Sequence, residues 1–233
     1  MRNKAIEIPG YIFEAVSKLE TAGFEAFLVG GCVRDILLCK EPKDWDVATN
    51  AKPEEVLGVF PDAKYENGFG TVMLPVKYLI ENSLGLGEAG SLGVVEVTTY
   101  RIESKYSDKR HPDAVKFAKT LEEDLSRRDF TVNSLALKIP NSKLQITNKA
   151  QNPKSKIQND FEIIDLFSGQ KDLENKIIRA VGNAVERFDE DALRMMRAIR
   201  FICQLGGKKQ ETRNKKQANC KTQSQKLKTE YKN

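Results

Sequence analysis

Apolar side chains at Ile12, Val16 and Leu19 recur at the three-to-four spacing of a helix face, and the run stops at Gly23. Directly after it, "EAFLVGG" is a short unbroken apolar segment that runs into glycines and predicts a strand. "CVRDILL" continues as a helix. "DWDVAT" reads as a second strand, followed by "NAKPEEVLGVF", a helix opened by Pro53. "GTVMLPV" and "GVVEVTTYRI" are β-rich and stand on either side of the glycine-laden "ENSLGLGEAGSLG". "TLEEDLSRRDFTVNSLAL" is helical in outline. Residues 140–160 are polar and predict an exposed insertion. "FEIIDLFSG" predicts a strand and turn, and "NAVERFDEDALRMMRAIRFI" carries a strong helical pattern. No internal repeat is visible. The sum is an α+β chain, a small mixed sheet flanked by helices, with one further helix that begins another unit.

Composition narrows the class. A hydrophobic fraction of 40% and a charged fraction of 30% over 233 residues describe a globular chain with one substantial domain and part of a second. No run reaches the ~18 apolar residues that a membrane helix needs. The N-terminus lacks the apolar core of a secretion signal, which makes cytoplasmic the default expectation. Cys32, Cys39, Cys203 and Cys220 show no C-x-x-C spacing, and His111 is the only histidine, so reduced buried thiols are expected rather than a zinc site or a disulfide framework. The net charge of +5 is uneven: residues 206–233 hold eight Lys and one Arg against two Glu, with little to bury. That tail is expected to be disordered, either simply solvated or touching nucleic acid through phosphate contacts.

Candidate chemistry begins with "DWD". A strand alternates its side chains, so Asp44 and Asp46 share one face while Trp45 takes the other and Lys43 is placed away from the acids. Two carboxylates about 7 Å apart repel by roughly 2 kcal/mol at an effective dielectric near 20. A divalent cation would relieve that, and magnesium prefers such oxygen ligands; a solvated pair at a strand edge is the plainer alternative. Upstream, Gly30 and Gly31 turn a strand into a helix whose first N–H groups are free to meet an anion. Arg34, expected in the first turn of that helix, is unfavourably placed there unless an anion is bound. Glu96 interrupts an apolar strand and is either a third metal carboxylate or an outward-facing side chain.

Two further clusters fit a nucleotide. "SRRDFTVNS" gathers Arg127, Arg128, Asp129 and Asn133, types suited to phosphate and to ribose hydroxyls, though a charged helix face would look the same. In "EDALRMMRAIRF", Asp191 and Arg194 are helical neighbours. The aspartate accepts from an exocyclic amino group and the arginine donates to the acceptor beside it, a pattern that cytosine and adenine share. An intrahelical ion pair worth a few tenths of a kcal/mol is the alternative. Arg197 and Arg200 continue the spacing towards phosphate or RNA.

Taken in order, "FLVGGCVRDILL", "DWDVAT", "VEVTTYR", "RHPDAVKF", "RRDFTVNSLAL" and "EDALRMMRAIRF" resemble the class II tRNA nucleotidyltransferase/poly(A) polymerase family. The resemblance spans residues 27 to 201. It implies a nucleotidyltransferase (polymerase-β-like) head at 1–177, the start of a helical neck at 178–205, and a basic polar tail at 206–233. It also implies Asp44 and Asp46 as Mg²⁺ ligands with Glu96 as third carboxylate, and Gly30, Gly31, Arg34 and Arg128 on the triphosphate. Asp129 and Asn133 would lie near the sugar. Asp191 and Arg194 would serve as the amino-acid template for CTP and ATP, supported by Arg197 and Arg200. After Phe201 the chain leaves the family pattern, in which further helices grip the tRNA; a second chain supplying body and tail helices would restore them.

The implied activity is template-independent addition of C and A to tRNA 3′ ends by two-metal attack of the RNA 3′-hydroxyl on the nucleotide α-phosphate. Two rivals remain open at this point. One is a poly(A) polymerase or A-only adding enzyme with the same motifs. The other is a non-catalytic fragment or split subunit that binds nucleotide or RNA.

Overall fold

A computed structural model describes residues 8–67, 70–79, 93–103, 115–139 and 161–206. Its elements, in chain order, are α1 (Gly10–Thr21), β1 (Ala26–Val29), α2 (Gly31–Leu37), β2 (Trp45–Thr49), α3 (Pro53–Val59), β3 (Lys64–Asn67), β4 (Thr71–Pro75), β5 (Val94–Thr99), β6 (Arg101–Glu103), β7 (Val115–Phe117) and α4 (Leu121–Ser126). A 3₁₀ turn (Thr131–Asn133), β8 (Ala136–Lys138), β9 (Glu162–Ile164), α5 (Gly169–Asn175), α6 (Ala184–Glu190) and α7 (Leu193–Gly206) complete them. Seven strands form one sheet in the order β3-β4-β5-β2-β1-β8-β9, and β6 and β7 form a separate ribbon. Within the sheet β2 and β5 run parallel, and the other neighbours are antiparallel. The expected mixed sheet flanked by helices is present, with more strands than its apolar runs suggested.

The pleat of β2 separates structure from chemistry. Trp45 and Val47 pack into the large core with Ile12, Val16 and Leu19 of α1 and Val56 of α3. Each such buried aliphatic or aromatic side chain contributes about 1.5–3 kcal/mol. Asp46 and Ala48 take the opposite face; there Ala48 joins Phe27, Val29, Tyr100 and Leu125 of α4 in a second, smaller core. A third cluster seats α7 through Phe201 and Ala198 against Phe130, Val132 and Leu173, together with Leu37 and Leu38 at the end of α2. The other side of α7 is left bare: Met195, Met196, Ile199 and Ile202 are exposed.

Several local expectations need correction. "TLEEDLSRRDFTVNSLAL" is not one helix. Thr120 and Glu123 close a capping box that starts α4, but the helix stops at Ser126, and the rest becomes a 3₁₀ turn and then β8, which pairs with β1. Tertiary pairing overrides the helical pattern there. The final helical stretch is two helices. Asp191 adopts extended backbone (φ −139°, ψ 108°) and accepts a hydrogen bond from Leu193 N at 2.8 Å, which caps α7 and interrupts the run. β3, β7 and α5 were not expected. α5 approaches the 3₁₀ turn so closely that a Cβ on Gly169 would lie 2.1 Å from Thr131 O, which only glycine permits. The expectation of buried thiols holds for Cys32, whereas Cys203 is exposed and Cys39 is disulfide-bonded. The loop at 80–92, His111, the insertion at 140–160 and the tail at 207–233 lie outside the described residues.

Candidate active site

An open cavity of about 1050 Å³ lies between the second face of the sheet and the last helix. Its walls include Gly30, Gly31, Arg34, Asp44, Asp46, Arg128, Asp129, Asn133, Asp191, Arg194, Arg197 and Arg200. All the expected site residues except Glu96 therefore meet in one place, although they are spread over 171 positions of sequence. That volume is at the upper end for small-molecule sites.

Asp46 takes the face that the alternation of β2 predicts, and Asp44, one residue before the strand, joins it in the cavity wall. Trp45 is buried in the core, Asp46 is half-buried and Asp44 is exposed at the cavity mouth. Burial raises the Asp46 carboxyl above its ordinary value; Arg128 pulls it back and Asp44 pushes it further up. Lys43 was expected to point away, yet it too lines the cavity. It precedes the first residue of β2, so the strand's alternation does not govern it. Glu96 stands beside Asp46 in the parallel register of β2 and β5, on the same face, but it is exposed and is not part of the cavity wall.

The donor set suits a hard divalent cation. Asp44 and Asp46 offer carboxylate oxygens side by side in the cavity wall, and magnesium is typically held by one or two carboxylates plus substrate phosphates and water. Among the described residues no group of three or more His, Cys, Asp or Glu forms a closed cage. Nearby, Cys32 donates from Sγ to Val29 O at 3.2 Å, and burial pushes its thiol up to about 12. It stays protonated and adds no ligand.

The glycine turn is a close approach of three groups. Gly30 has φ +74°, and a Cβ there would lie 2.9 Å from Arg128 Nη1 and 3.7 Å from Asp46 Oδ2. Arg34 needs correction. It is the fourth residue of the seven-residue α2, within the expected first turn of a helix so short that its last turn overlaps it, but it is already balanced: Nη1 donates to Asn133 Oδ1 at 2.7 Å, while Nε and Nη2 donate to Asp35 Oδ1 at 3.0 and 2.8 Å. Its placement therefore does not by itself require a bound anion.

A polar chain runs on from there. Asn133 Nδ2 donates to Asp129 Oδ1 at 3.4 Å, and Arg197 Nε donates to Asp129 Oδ2 at 2.6 Å. Arg194 is buried and donates to Glu190 Oε2 at 2.6 Å and to Arg187 O at 3.1 Å. The expected Asp191–Arg194 neighbourhood is thus built with Glu190 as the carboxylate that holds the guanidinium, while an oxygen of Asp191 caps α7.

Two positions were missed by sequence reasoning. Asp124 is 1% exposed and holds both Arg127 (2.8 Å) and Arg128 (3.0 Å). Burial works to raise its carboxyl, but Arg128 and Arg127 outweigh that and hold it below the usual range. Its spacing of three and four residues before the two arginines was the available signal. Phe201 is the other; its ring lies against three guanidinium groups, and its place one turn after Arg197 pointed to it.

The poly A polymerase head domain family matches residues 26–179. Over 208 residues the chain is 43% identical to a CCA-adding enzyme of Leuconostoc mesenteroides subsp. mesenteroides, covering 87% of this chain and 43% of that protein. A CCA-adding enzyme of Listeria monocytogenes serovar 1/2a is 44% identical over 190 residues, covering 82% of this chain and 40% of that protein. Among solved structures, the Bacillus stearothermophilus CCA-adding enzyme in complex with CTP superposes with a TM-score of 0.60 at 34% identity, over 85% of this chain and 40% of that one. A tRNA nucleotidyltransferase complexed with a primer tRNA and an incoming ATP analog gives a TM-score of 0.55 at 28% identity, over 82% of this chain and 45% of that one. The chain spans less than half the length of these relatives. Its match to the head-domain model, which covers more than half of its residues, shows that the chain belongs to the poly(A) polymerase head-domain family.

Proposed function

We propose that this chain is the nucleotide-transferring part of an enzyme that adds C and A to tRNA 3′ ends. One observation carries the reading: a single cavity gathers a carboxylate pair, a cluster of guanidiniums and a helix-start aspartate beside a buried arginine. Its relatives named CCA-adding enzyme, and the structures that hold CTP or tRNA with an ATP analog, support that choice of substrates. In this reading residues 1–177 are the head, 178–205 begin a neck, and 206–233 are a basic extension that meets RNA phosphates.

Asp44 and Asp46 would hold Mg²⁺, with Glu96 outside the cavity wall as an accessory carboxylate. Bound there, the ion would supply Lewis-acid activation of the RNA 3′-hydroxyl and neutralise the triphosphate. The remaining work belongs to the chain itself. Gly30 and Gly31 leave room for phosphate oxygens at the turn into α2, and Arg34 and Arg128 meet their charge. Asp129 and Asn133 orient the ribose. Asp191 accepts from the amino group of cytosine or adenine while Arg194 donates to the neighbouring acceptor. The 3′-oxygen forms its bond to the α-phosphorus as the bond to the bridging oxygen breaks; the hydroxyl proton leaves, and pyrophosphate departs. Positioning and charge stabilisation supply most of the acceleration.

The bare apolar side of α7 supports a further partner. Met196 is 64% exposed and Ile199 and Ile202 each 56%, a stripe that water does not favour on a finished surface. The relatives are more than twice as long as the stretch they share with this chain. A second chain of helices packing on this stripe would complete the grip on tRNA. No described helix is long and apolar enough to cross a membrane, in keeping with a cytoplasmic site of action.

The test is incubation with tRNA lacking its terminal CCA and each labelled nucleotide in turn, with and without a helical partner chain. Incorporation of C and then A is expected. Incorporation of A and never C would establish the A-only activity instead, and nucleotide binding without incorporation in either arm would leave a binding subunit.

A further inference from the structure

Among the described residues Phe201 is the one aromatic ring in the cavity wall, and nucleotidyl transfer as described above gives it no task. It is 4% exposed and packs edge-on to Phe130, with ring centroids 5.7 Å apart. Three guanidinium carbons surround it: Arg200 at 5.0 Å, Arg34 at 5.2 Å and Arg197 at 5.5 Å from the ring centroid. Each lies within the ~6 Å at which the negative face of an aromatic ring attracts a cation.

The arrangement is unusual for a packing residue. Three like charges around one ring repel each other. Two of them are offset, Arg34 by Asp35 and Asn133 and Arg197 by Asp129. Among the described residues Arg200 has the ring and no carboxylate or hydrogen-bonding partner. An aliphatic side chain of similar size would fill the space beside Phe130 equally well, but it would leave the third cation with nothing to hold it. The ring also links distant parts of the chain, since Arg34 comes from α2 and the other two arginines from α7.

We propose that Phe201 is a positioning residue for the nucleotide: its ring gathers Arg34, Arg197 and Arg200 into one cationic cluster that receives the triphosphate. The inference rests on the nucleotidyl-transfer reading and adds to it the element that assembles the phosphate-binding side. Without the ring's electron density the cluster spreads, and its pull on a polyanion falls while the fold stays.

The discriminating experiment replaces Phe201 with mono-, tri- and pentafluorophenylalanine, which keep the ring's shape and apolar surface while draining charge from its face. Binding of CTP, of ATP and of inorganic tripolyphosphate is measured by calorimetry in Mg²⁺ buffer, alongside the melting temperature. A progressive loss reaching about tenfold in affinity for all three anions is expected, with a melting temperature nearly constant across the series and cytidine unaffected. Phe201→Leu serves as a second variant, expected to show the same loss of tripolyphosphate affinity. Failure of the unmodified protein to bind any of the three anions would overturn both the nucleotide site and the role of Phe201. Tight binding that stays flat along the fluorinated series would overturn the role of Phe201 alone and leave it a core residue.

Discussion

Arg197 Nε lies 2.6 Å from Asp129 Oδ2, joining the last helix to the segment after α4 across 68 positions of sequence. The same carboxylate accepts from Phe130 N at 2.8 Å and from Asn133 Nδ2 at 3.4 Å with its other oxygen. Asp129 is therefore the hinge of a chain that runs from Arg34 through Asn133 to α7.

Breaking that link should cost binding more than stability. Arg197 is partly exposed, and such pairs contribute only about 0–1 kcal/mol. Asp129→Asn is expected to shift the denaturation midpoint little and to raise the KM for CTP and ATP roughly tenfold, since about 1.4 kcal/mol of lost orientation corresponds to that factor. Denaturant titration and steady-state kinetics on the same preparation check it. An unchanged KM with a large drop in stability would show that the link is only structural.

The turn at Gly30 offers a sharper contrast. Alanine there must adopt φ +74° and place its Cβ 2.9 Å from Arg128 Nη1, on a guanidinium already anchored through Nη2 to Asp124. Gly30→Ala is expected to destabilise by about 1–3 kcal/mol and to displace Arg128, with nucleotide affinity falling accordingly. Gly31→Ala is the control, because its Cβ would meet Arg34 Nη2 at an ordinary 3.8 Å. Equal behaviour of the two variants in thermal unfolding would refute the account of the turn.

Much of this site was legible in the sequence because the relevant signals are local. The alternation through "DWD" placed Trp45 inward and Asp46 outward, and the glycine pair marked the turn into α2. What failed was whatever tertiary contacts decide. Arg34 looked like a cation awaiting an anion, but its partner Asn133 comes from 99 positions away. β8 was hidden inside a helical pattern because its pairing with β1 belongs to the sheet, not to the segment. Asp191 broke the final helix by capping, a signal present in its residue type but masked by the apolar periodicity around it. Glu96 was read only as an acid interrupting an apolar strand; the register of β2 and β5 sets it beside Asp46, and the cavity wall leaves it out.

Asp124 should make stability depend on pH in a defined window. Its buried carboxyl is opposed by desolvation but is held below 3.8 by Arg128 and then Arg127. A depressed folded value means that its contribution is fully present above the unfolded value near 3.8. The contribution is lost as pH falls through the folded value. Asp124→Asn leaves two arginines without their charge partner and is expected to cost about 3–5 kcal/mol at pH 7. The loss should shrink as pH drops below 3.8. Urea melts of both proteins from pH 7 to pH 2.5 test it; a pH-independent difference would mean that the carboxylate's charge is not what is lost.

Selection between bases should depend on Asp191 separately from catalysis. Asp191→Ala removes the acceptor for an amino group, and a lost base-edge contact is worth about 1–3 kcal/mol of discrimination. The ratio of kcat/KM for CTP over UTP is expected to fall by roughly ten- to a hundredfold, with magnesium dependence unchanged. Because an oxygen of the same carboxylate caps α7, Asp191→Ser, which can still cap, separates the two roles. Full retention of selectivity in both variants would remove Asp191 from base recognition.

The acidic pair makes the strongest commitment. Burial, opposed by Arg128 and aided by Asp44, raises the Asp46 carboxyl above 3.8. An ionised Asp46 therefore costs folding stability at neutral pH, and that cost fades as pH falls through the raised value and vanishes below 3.8. Asp46→Asn is expected to be at least as stable as the parent at pH 7 while losing transfer by about a thousandfold or more. Magnesium should raise the melting temperature of the parent by the linkage of binding to folding and leave that of the Asp46→Asn variant unmoved. Glu96→Gln should lose far less, about tenfold, because Glu96 is beside Asp46 in register but beyond the cavity wall. Calorimetric scans with and without magnesium, paired with single-turnover transfer, distinguish the three. A magnesium shift that survives Asp46→Asn but disappears in Glu96→Gln would move the ion away from the pair and onto the neighbouring strand.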